Sequence, residues 1–168
     1  MKIIKNYRNI DESDRGSVIA IGNFDGIHNG HKALISNIAE LSKTMGKKTG
    51  ICTFNPHPKN FFANGQAINQ ITSQELKYEI LEKLGIDILY EIEFNHELSR
   101  MSPDEFFNNI LIDGLGVSHV TVGSDFKFGH KRSGNSSYLR MQCEASGISF
   151  QSIEKQTDSN SQIYSSSS

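Results

Sequence analysis

Short apolar runs alternate with amphipathic stretches along the chain, the pattern expected of a parallel sheet with helices packed on both faces. The first run, Val18-Ile19-Ala20-Ile21, is too short for a buried helix and stops at Gly22, so it reads as a central strand. The segment Gly22 to His31 follows, and then Ala33, Leu34, Ile38 and Leu41 recur at helical spacing up to Gly46. Thr49 to Phe54 predict a second strand that runs into Asn55-Pro56-His57-Pro58, where two prolines forbid further strand or helix. Thr72 or Ser73 can cap a helix carrying Leu76, Ile80, Leu81 and Leu84 and closed by Gly85; Ile86 to Ile92 predict a third strand. Ser102-Pro103-Asp104-Glu105 has the form of a capping box with proline at the first helical position, opening a helix with Phe106, Phe107, Ile110 and Leu111. Val117 to Val122 predict a fourth strand, Ser124 to Ser136 a loop, Ser137 to Ser146 a helix and Ile148 to Ile153 a fifth strand, after which the chain turns polar and serine-rich. The expected fold is α/β, a Rossmann-like doubly wound parallel sheet of about five strands with flanking helices.

Composition narrows the functional classes. A length of 168 residues suits one domain, which at this size buries about two-thirds of its extended-chain surface. The 17 Lys+Arg against 19 Asp+Glu leave a net charge of −2, so no global field recruits nucleic acid or an anionic membrane, and a bound anion must be held locally. The only cysteines, Cys52 and Cys143, lack metal-ligand spacing. Cys52 lies in an apolar run, where a thiol packs as a small hydrophobe. Two thiols without a disulfide framework suit a reducing cytoplasm. No run of about 18 apolar residues occurs, and the polar N-terminus carries no targeting pattern, so the chain reads as soluble and cytoplasmic.

In open α/β sheets, ligands bind beyond the carboxyl ends of the strands, and three unusual segments fall at that edge: Gly22 to His31, Asn55 to Pro58, and Gly123 to Gly134. In the first, His28 and His31 stand three residues apart at a helix start, beside backbone N–H groups that have no partner within the helix. That arrangement suits a phosphate, with Gly30 leaving room for close approach to the backbone. Two surface histidines at a helix start account equally well for His-x-Gly-His taken alone. No Walker-type Gly-Lys-Ser/Thr follows, which disfavours a P-loop kinase, and further ligands for zinc are missing. Pro56 and Pro58 stiffen a loop that could wall a planar ring or simply turn at the sheet edge. Phe126 and Phe128 alternate as core residues would, whereas Asp125, just past a strand end, is placed to accept hydroxyl hydrogen bonds or to hold magnesium through water. Lys127, Lys131 and Arg132 are either ordinary solvated charges or a screen for triphosphate; Arg132 is the one favoured for the second role.

The segment Gly22-Asn23-Phe24-Asp25-Gly26-Ile27-His28-Asn29-Gly30-His31 resembles the His-x-Gly-His motif of the nucleotidylyltransferase superfamily, in the form found in the FMN adenylyltransferase (FAD synthetase) domain of bacterial bifunctional riboflavin kinase/FMN adenylyltransferases. Phe54-Asn55-Pro56-His57-Pro58 is similar to that family's Phe-x-Pro-His-Pro segment, and Gly123-Ser124-Asp125-Phe126-Lys127-Phe128-Gly129, with Arg132 and Gly134, to its Gly-x-Asp-Phe-x-Phe-Gly loop. The resemblance covers essentially the whole chain. It implies transfer of AMP from ATP to FMN, giving FAD and pyrophosphate by direct in-line attack with Mg2+ assisting. By the same resemblance His28 and His31 are catalytic, contacting the ATP phosphates, and Gly22, Asn23, Phe24, Asp25, Gly30 and Arg132 bind ATP. Asn55, Pro56, His57, Pro58, Asp125 and Phe126 fall on the flavin side.

The family's last motif reads Ser-Ser-Thr-x-Ile-Arg, and the chain here ends Ile163-Tyr164-Ser165-Ser166-Ser167-Ser168. Ser165, Ser166 and Ser167 are the expected ATP-side hydroxyls, with serine where the family has threonine. The resemblance implies that residues 1–168 are the nucleotidyltransferase domain shortened at its C-terminal end, with the riboflavin kinase domain absent. Two alternatives remain: another nucleotidyltransferase of the superfamily, against which the Pro-His-Pro and Asp125 loops argue, and a flavin- or nucleotide-binding module without turnover.

Overall fold

The computed structural model describes residues 1–22, 29–55, 74–157 and 162–167, with side chains described for residues 1–22, 32–55 and 75–153. Seven strands form one sheet in the spatial order β1-β4-β3-β2-β5-β8-β9. They are β1 (Lys2–Ile4), β2 (Val18–Ile21), β3 (Thr49–Asn55), β4 (Ile88–Glu93), β5 (His119–Gly123), β8 (Ser149–Thr157) and β9 (Gln162–Ser167). All neighbouring pairs are parallel except β8 with β9. A two-stranded antiparallel ribbon, β6 (Lys127–Phe128) with β7 (Gly134–Asn135), stands apart. The five strands expected from sequence are β2, β3, β4, β5 and β8. Their spatial order, third-second-first-fourth-fifth, is the doubly wound Rossmann-like arrangement.

The alternation along β2 explains how two helical layers share one sheet. Val18 and Ala20 face a core with Leu34, Ile35 and Ile38 of α1 (Asn29–Met45) and Leu81 of α2 (Gln74–Lys83). Ile19 and Ile21 face the opposite core, with Leu98 of α3 (His96–Arg100) and Leu139 and Cys143 of α5 (Ser136–Ala145). Phe106, Phe107, Ile110 and Leu111 complete that layer from a π-wound segment, Phe106–Leu115, that continues α4 (Pro103–Glu105). The Ser102 hydroxyl accepts from the Glu105 N–H and the Glu105 carboxylate from the Ser102 N–H, the reciprocal capping box the sequence predicts.

The sheet is wider than the five strands expected. β1 adds an edge beside β4, and β9 adds an antiparallel edge beside β8. The loop expected over 124–136 contains the β6–β7 ribbon and a 3-10 turn at His130–Arg132. Leu76 and Leu84 lie at the surface, so Leu81 carries the core contact of α2. The proposed caps Thr72 and Ser73 lie outside the described residues. Among the described residues no helix is long and apolar enough to cross a membrane.

Candidate active site at the carboxyl edge of the sheet

β2 and β5 are adjacent, with α1 and α5 on opposite faces, so the strand order reverses between them, and open α/β sheets bind ligands at the carboxyl ends of strands at such a point. Gly22 leaves β2 there, its N–H donating to the Cys52 carbonyl at 3.1 Å. Asn23 to His28 lie outside the described residues. Asn29, Gly30 and His31 form the first residues of α1, whose side chains are described only from Lys32 onward. The order strand, glycine-led connection, helix is therefore as expected. Asn55 is the exposed last residue of β3, its carbonyl accepting from the Phe94 N–H at 3.1 Å, while Pro56, His57 and Pro58 lie outside the described residues.

The third segment is fully described. Past β5 the Phe126 N–H closes a turn onto the Gly123 carbonyl (3.0 Å), and the Ser124 N–H donates to Ile153 of β8 (2.9 Å). Asp125 is exposed and folds back over Gly123, where a Cβ would meet its Oδ1 at 3.1 Å. The Ser136 hydroxyl donates to the Ser124 carbonyl, tying the loop's start to the first turn of α5. Phe126, half-buried, stacks on Phe128 with centroids 5.6 Å apart, and Phe128 is buried against Phe106 and Tyr138. Phe128 is thus a core residue, and Phe126 packs against that core with part of its ring exposed. The loop tip docks through the His130 N–H on the Met101 carbonyl (2.7 Å) and exposes Lys131 and Arg132, both in the left-handed region.

Ser165, Ser166 and Ser167 pair with Glu154, Ile153 and Ser152 of β8, and Ile153 is level with Gly123 of β5. The serines therefore stand at the height of the carboxyl edge, two strands or about 10 Å across the sheet from β5, on a strand that packs against α1. Sequence reading did not register this strand.

It also missed a buried polar chain beneath the edge. His119 and Thr121 of β5 face α1, where Thr121 Oγ1 donates to Asn37 Oδ1 (2.7 Å) and Asn37 Nδ2 donates to Gln151 Oε1 (2.7 Å). His119 Nε2 lies 2.6 Å from Thr121 Oγ1, and Nδ1 2.6 Å from Ser149 Oγ. Because the Thr121 proton is committed to Asn37, Nε2 carries the ring proton and Nδ1 accepts from Ser149. Burial lowers the His119 pKa from 6.5 to about 4, keeping the ring neutral. The signal was available in sequence as polar residues two apart in both β5 and β8.

Both cysteines are buried, and desolvation raises each thiol to about 12, so they pack as the sequence suggests. Among the described residues no cluster of His, Cys, Asp or Glu could hold a metal ion by itself. A cavity of about 730 Å³, lined by Tyr7, Glu97, Arg100, Met101, Asn109 and Asp113 among others, adjoins the third segment through Met101, whose carbonyl takes the His130 N–H. Arg8 on its wall is already paired with Glu97 and laid over the Tyr7 ring.

The FAD synthetase family model matches residues 10–167. The chain belongs to the FAD synthetase family. It is 36% identical over 140 residues to the bifunctional riboflavin kinase/FMN adenylyltransferase of Buchnera aphidicola subsp. Schizaphis graminum, covering 83% of this chain and 45% of that protein. Against the bifunctional riboflavin kinase/FMN adenylyltransferase of Listeria monocytogenes it is 37% identical, covering 73% and 39%. Against that of Escherichia coli K12 it is 31% identical, covering 80% and 44%. The chain thus spans less than half the length of these relatives. A solved structure titled macrolide-efflux protein, from Streptococcus pneumoniae, superposes with a TM-score of 0.79 at 22% identity, covering 96% of this chain and 52% of that one. At that identity the likeness speaks for the fold.

Proposed function

We propose that this chain transfers AMP from ATP to FMN, the last step of flavin cofactor biosynthesis. A phosphate oxygen of FMN attacks the α-phosphorus of ATP, the bond from that phosphorus to the bridging oxygen breaks, and pyrophosphate leaves with the electron pair. The observation that supports the reading is that β2, β3 and β5, the strands after which the three family motifs follow in sequence, are parallel neighbours in the sheet, with the strand order reversing between β2 and β5. Such a reaction needs fixed donors and alignment more than a nucleophile. His28 and His31 donate to the ATP phosphates, with Gly22, Asn23, Phe24, Asp25 and Gly30 shaping the turn that receives them. Ser165, Ser166 and Ser167 approach the triphosphate from β9, and Arg132 from the tip of the third loop. Asn55, Pro56, His57 and Pro58 wall the flavin, with Phe126 offering ring surface and Asp125 accepting from a ribityl or ribose hydroxyl.

Magnesium, bound chiefly by phosphate oxygens and water, would offset triphosphate charge. The exposed Asp125 carboxylate over Gly123 fits a water-mediated contact to such an ion.

Incubating the protein with FMN, ATP and Mg2+ and following FAD by chromatography tests the reading. FAD and pyrophosphate in equal amounts are expected, with His28→Ala or His31→Ala suppressing turnover by at least about a hundredfold at little cost in stability. A fully active His31→Ala would contradict the assignment. FMN binding without FAD would favour a binding module instead.

A further inference from the structure

Helix α1 lies on the sheet through Leu34, Ile35 and Ile38 against Val18, Ala20 and Ile51. Such contacts hold the helix down but direct it weakly, since apolar attraction depends on area and little on angle. Hydrogen bonds are directional, and a chain of them, buried at its centre, crosses from the sheet to this helix. It runs from Ser149 through His119 and Thr121 to Asn37 and back to Gln151, with successive distances of 2.6, 2.6, 2.7 and 2.7 Å. Its central members are almost wholly buried, His119 at 2% and Thr121 at 0% exposure. Every donor in it has one acceptor, so a shift of α1 along or around its axis leaves the Thr121 hydroxyl unpaired away from water, which costs about 1–3 kcal/mol. Asn37 is six residues from His31, about 9 Å along the helix axis, and the rigid helix transmits its setting to the first turn.

We propose that His119, Thr121 and Asn37 are positioning residues that fix the register of α1 over β5 and β8, and so place His31 and the first turn of that helix at the sheet edge. The proposal rests on the adenylyl-transfer reading for its effect on catalysis, and on the hydrogen-bonded chain alone for its effect on α1. Neither His119 nor Thr121 touches substrate. They act through Asn37, and the flavin side of the site, on the β3 and β5 loops, stays where it is when they are disturbed.

Thr121→Val keeps the shape and removes the hydroxyl, and Thr121→Ser keeps the hydroxyl. At a temperature well below the melting point of every variant, Thr121→Val should lower kcat by about tenfold to a hundredfold while KM for FMN stays within about twofold. Thr121→Ser should recover most of the loss. Hydrogen exchange in the first half of α1 should quicken by about tenfold in Thr121→Val and by much less in β3. Wild-type kcat in a folded Thr121→Val protein, with only the melting temperature reduced, would mean that the chain serves the core alone. If the wild-type protein makes no FAD, the function falls separately, and unchanged α1 exchange in Thr121→Val would still overturn the positioning role. Should Thr121→Val not fold, Gln151→Met at the half-buried end of the chain must quicken α1 exchange in the same direction, or the proposal fails.

Discussion

His119 is a buried imidazole held neutral by desolvation, its pKa lowered from 6.5 to about 4. In the unfolded chain it takes up a proton as pH falls through about 6.5, whereas the folded ring resists until about 4. The unfolded state therefore binds more protons in this window. Stability from the neutral ring is full above pH 6.5 and is lost as pH falls towards 4, by about 3 kcal/mol at most. His119→Gln cannot titrate and can still donate towards Thr121. Denaturant unfolding of both proteins from pH 7 to pH 4 should show wild-type stability falling further, the gap between them shrinking by up to about 3 kcal/mol. Parallel curves would mean that His119 is solvated. This residue also marks a limit of sequence reading: a histidine in a strand is ambiguous until Asn37, 82 positions away in the chain, is brought against the same face. Cys52 was legible because it lies between Ile51 and Phe54 in a short strand-forming run, and its burial follows from that run.

At the scale of elements, what was legible had a local cause. The capping box before α4, the glycine after α2 and the apolar runs of β2 and β3 each specify their structure within a few residues. The missed elements depend on distant partners. β1 is three residues long and is fixed by pairing with β4 and by Lys2 Nζ on the buried Asp14 carboxylate at 2.5 Å. β9 is a serine-rich strand with no apolar alternation to announce it, ordered by pairing with β8. The β6–β7 ribbon depends on one close approach that no pattern reveals. A Cβ on Gly134 would come within 2.8 Å of the Phe128 ring, which Phe106, Phe126 and Tyr138 hold in place. Gly134→Ala should therefore cost about 1–3 kcal/mol by overpacking, read as a lower urea midpoint at unchanged slope. It should also weaken FMN binding, because Asp125 and Phe126 ride on the same ribbon. An alanine protein with the wild-type midpoint would show that the ring can yield.

Across the whole molecule the two edges of the sheet are built for different ends. At the amino edge four helix-to-strand connections are tight, each turning on a glycine in the left-handed region: Gly46, Gly85, Gly116 and Gly147. At the carboxyl edge lie the long connections that hold all three motif segments. This asymmetry was partly readable, since glycine after a helical pattern and odd residues after a strand are both sequence features. The level of Ser165 to Ser167 with Gly123 needed the sheet itself. If the carboxyl edge is the working one, FMN with a non-hydrolysable ATP analogue should slow backbone amide exchange at Gly22, at Gly123 to Phe126 and in the first turn of α1. The turns at Gly46, Gly85, Gly116 and Gly147 should exchange at their ligand-free rates. Slowing confined to the cavity beside Tyr7 and Arg100 would move the ligand site off the switch point, and the adenylyl-transfer reading with it.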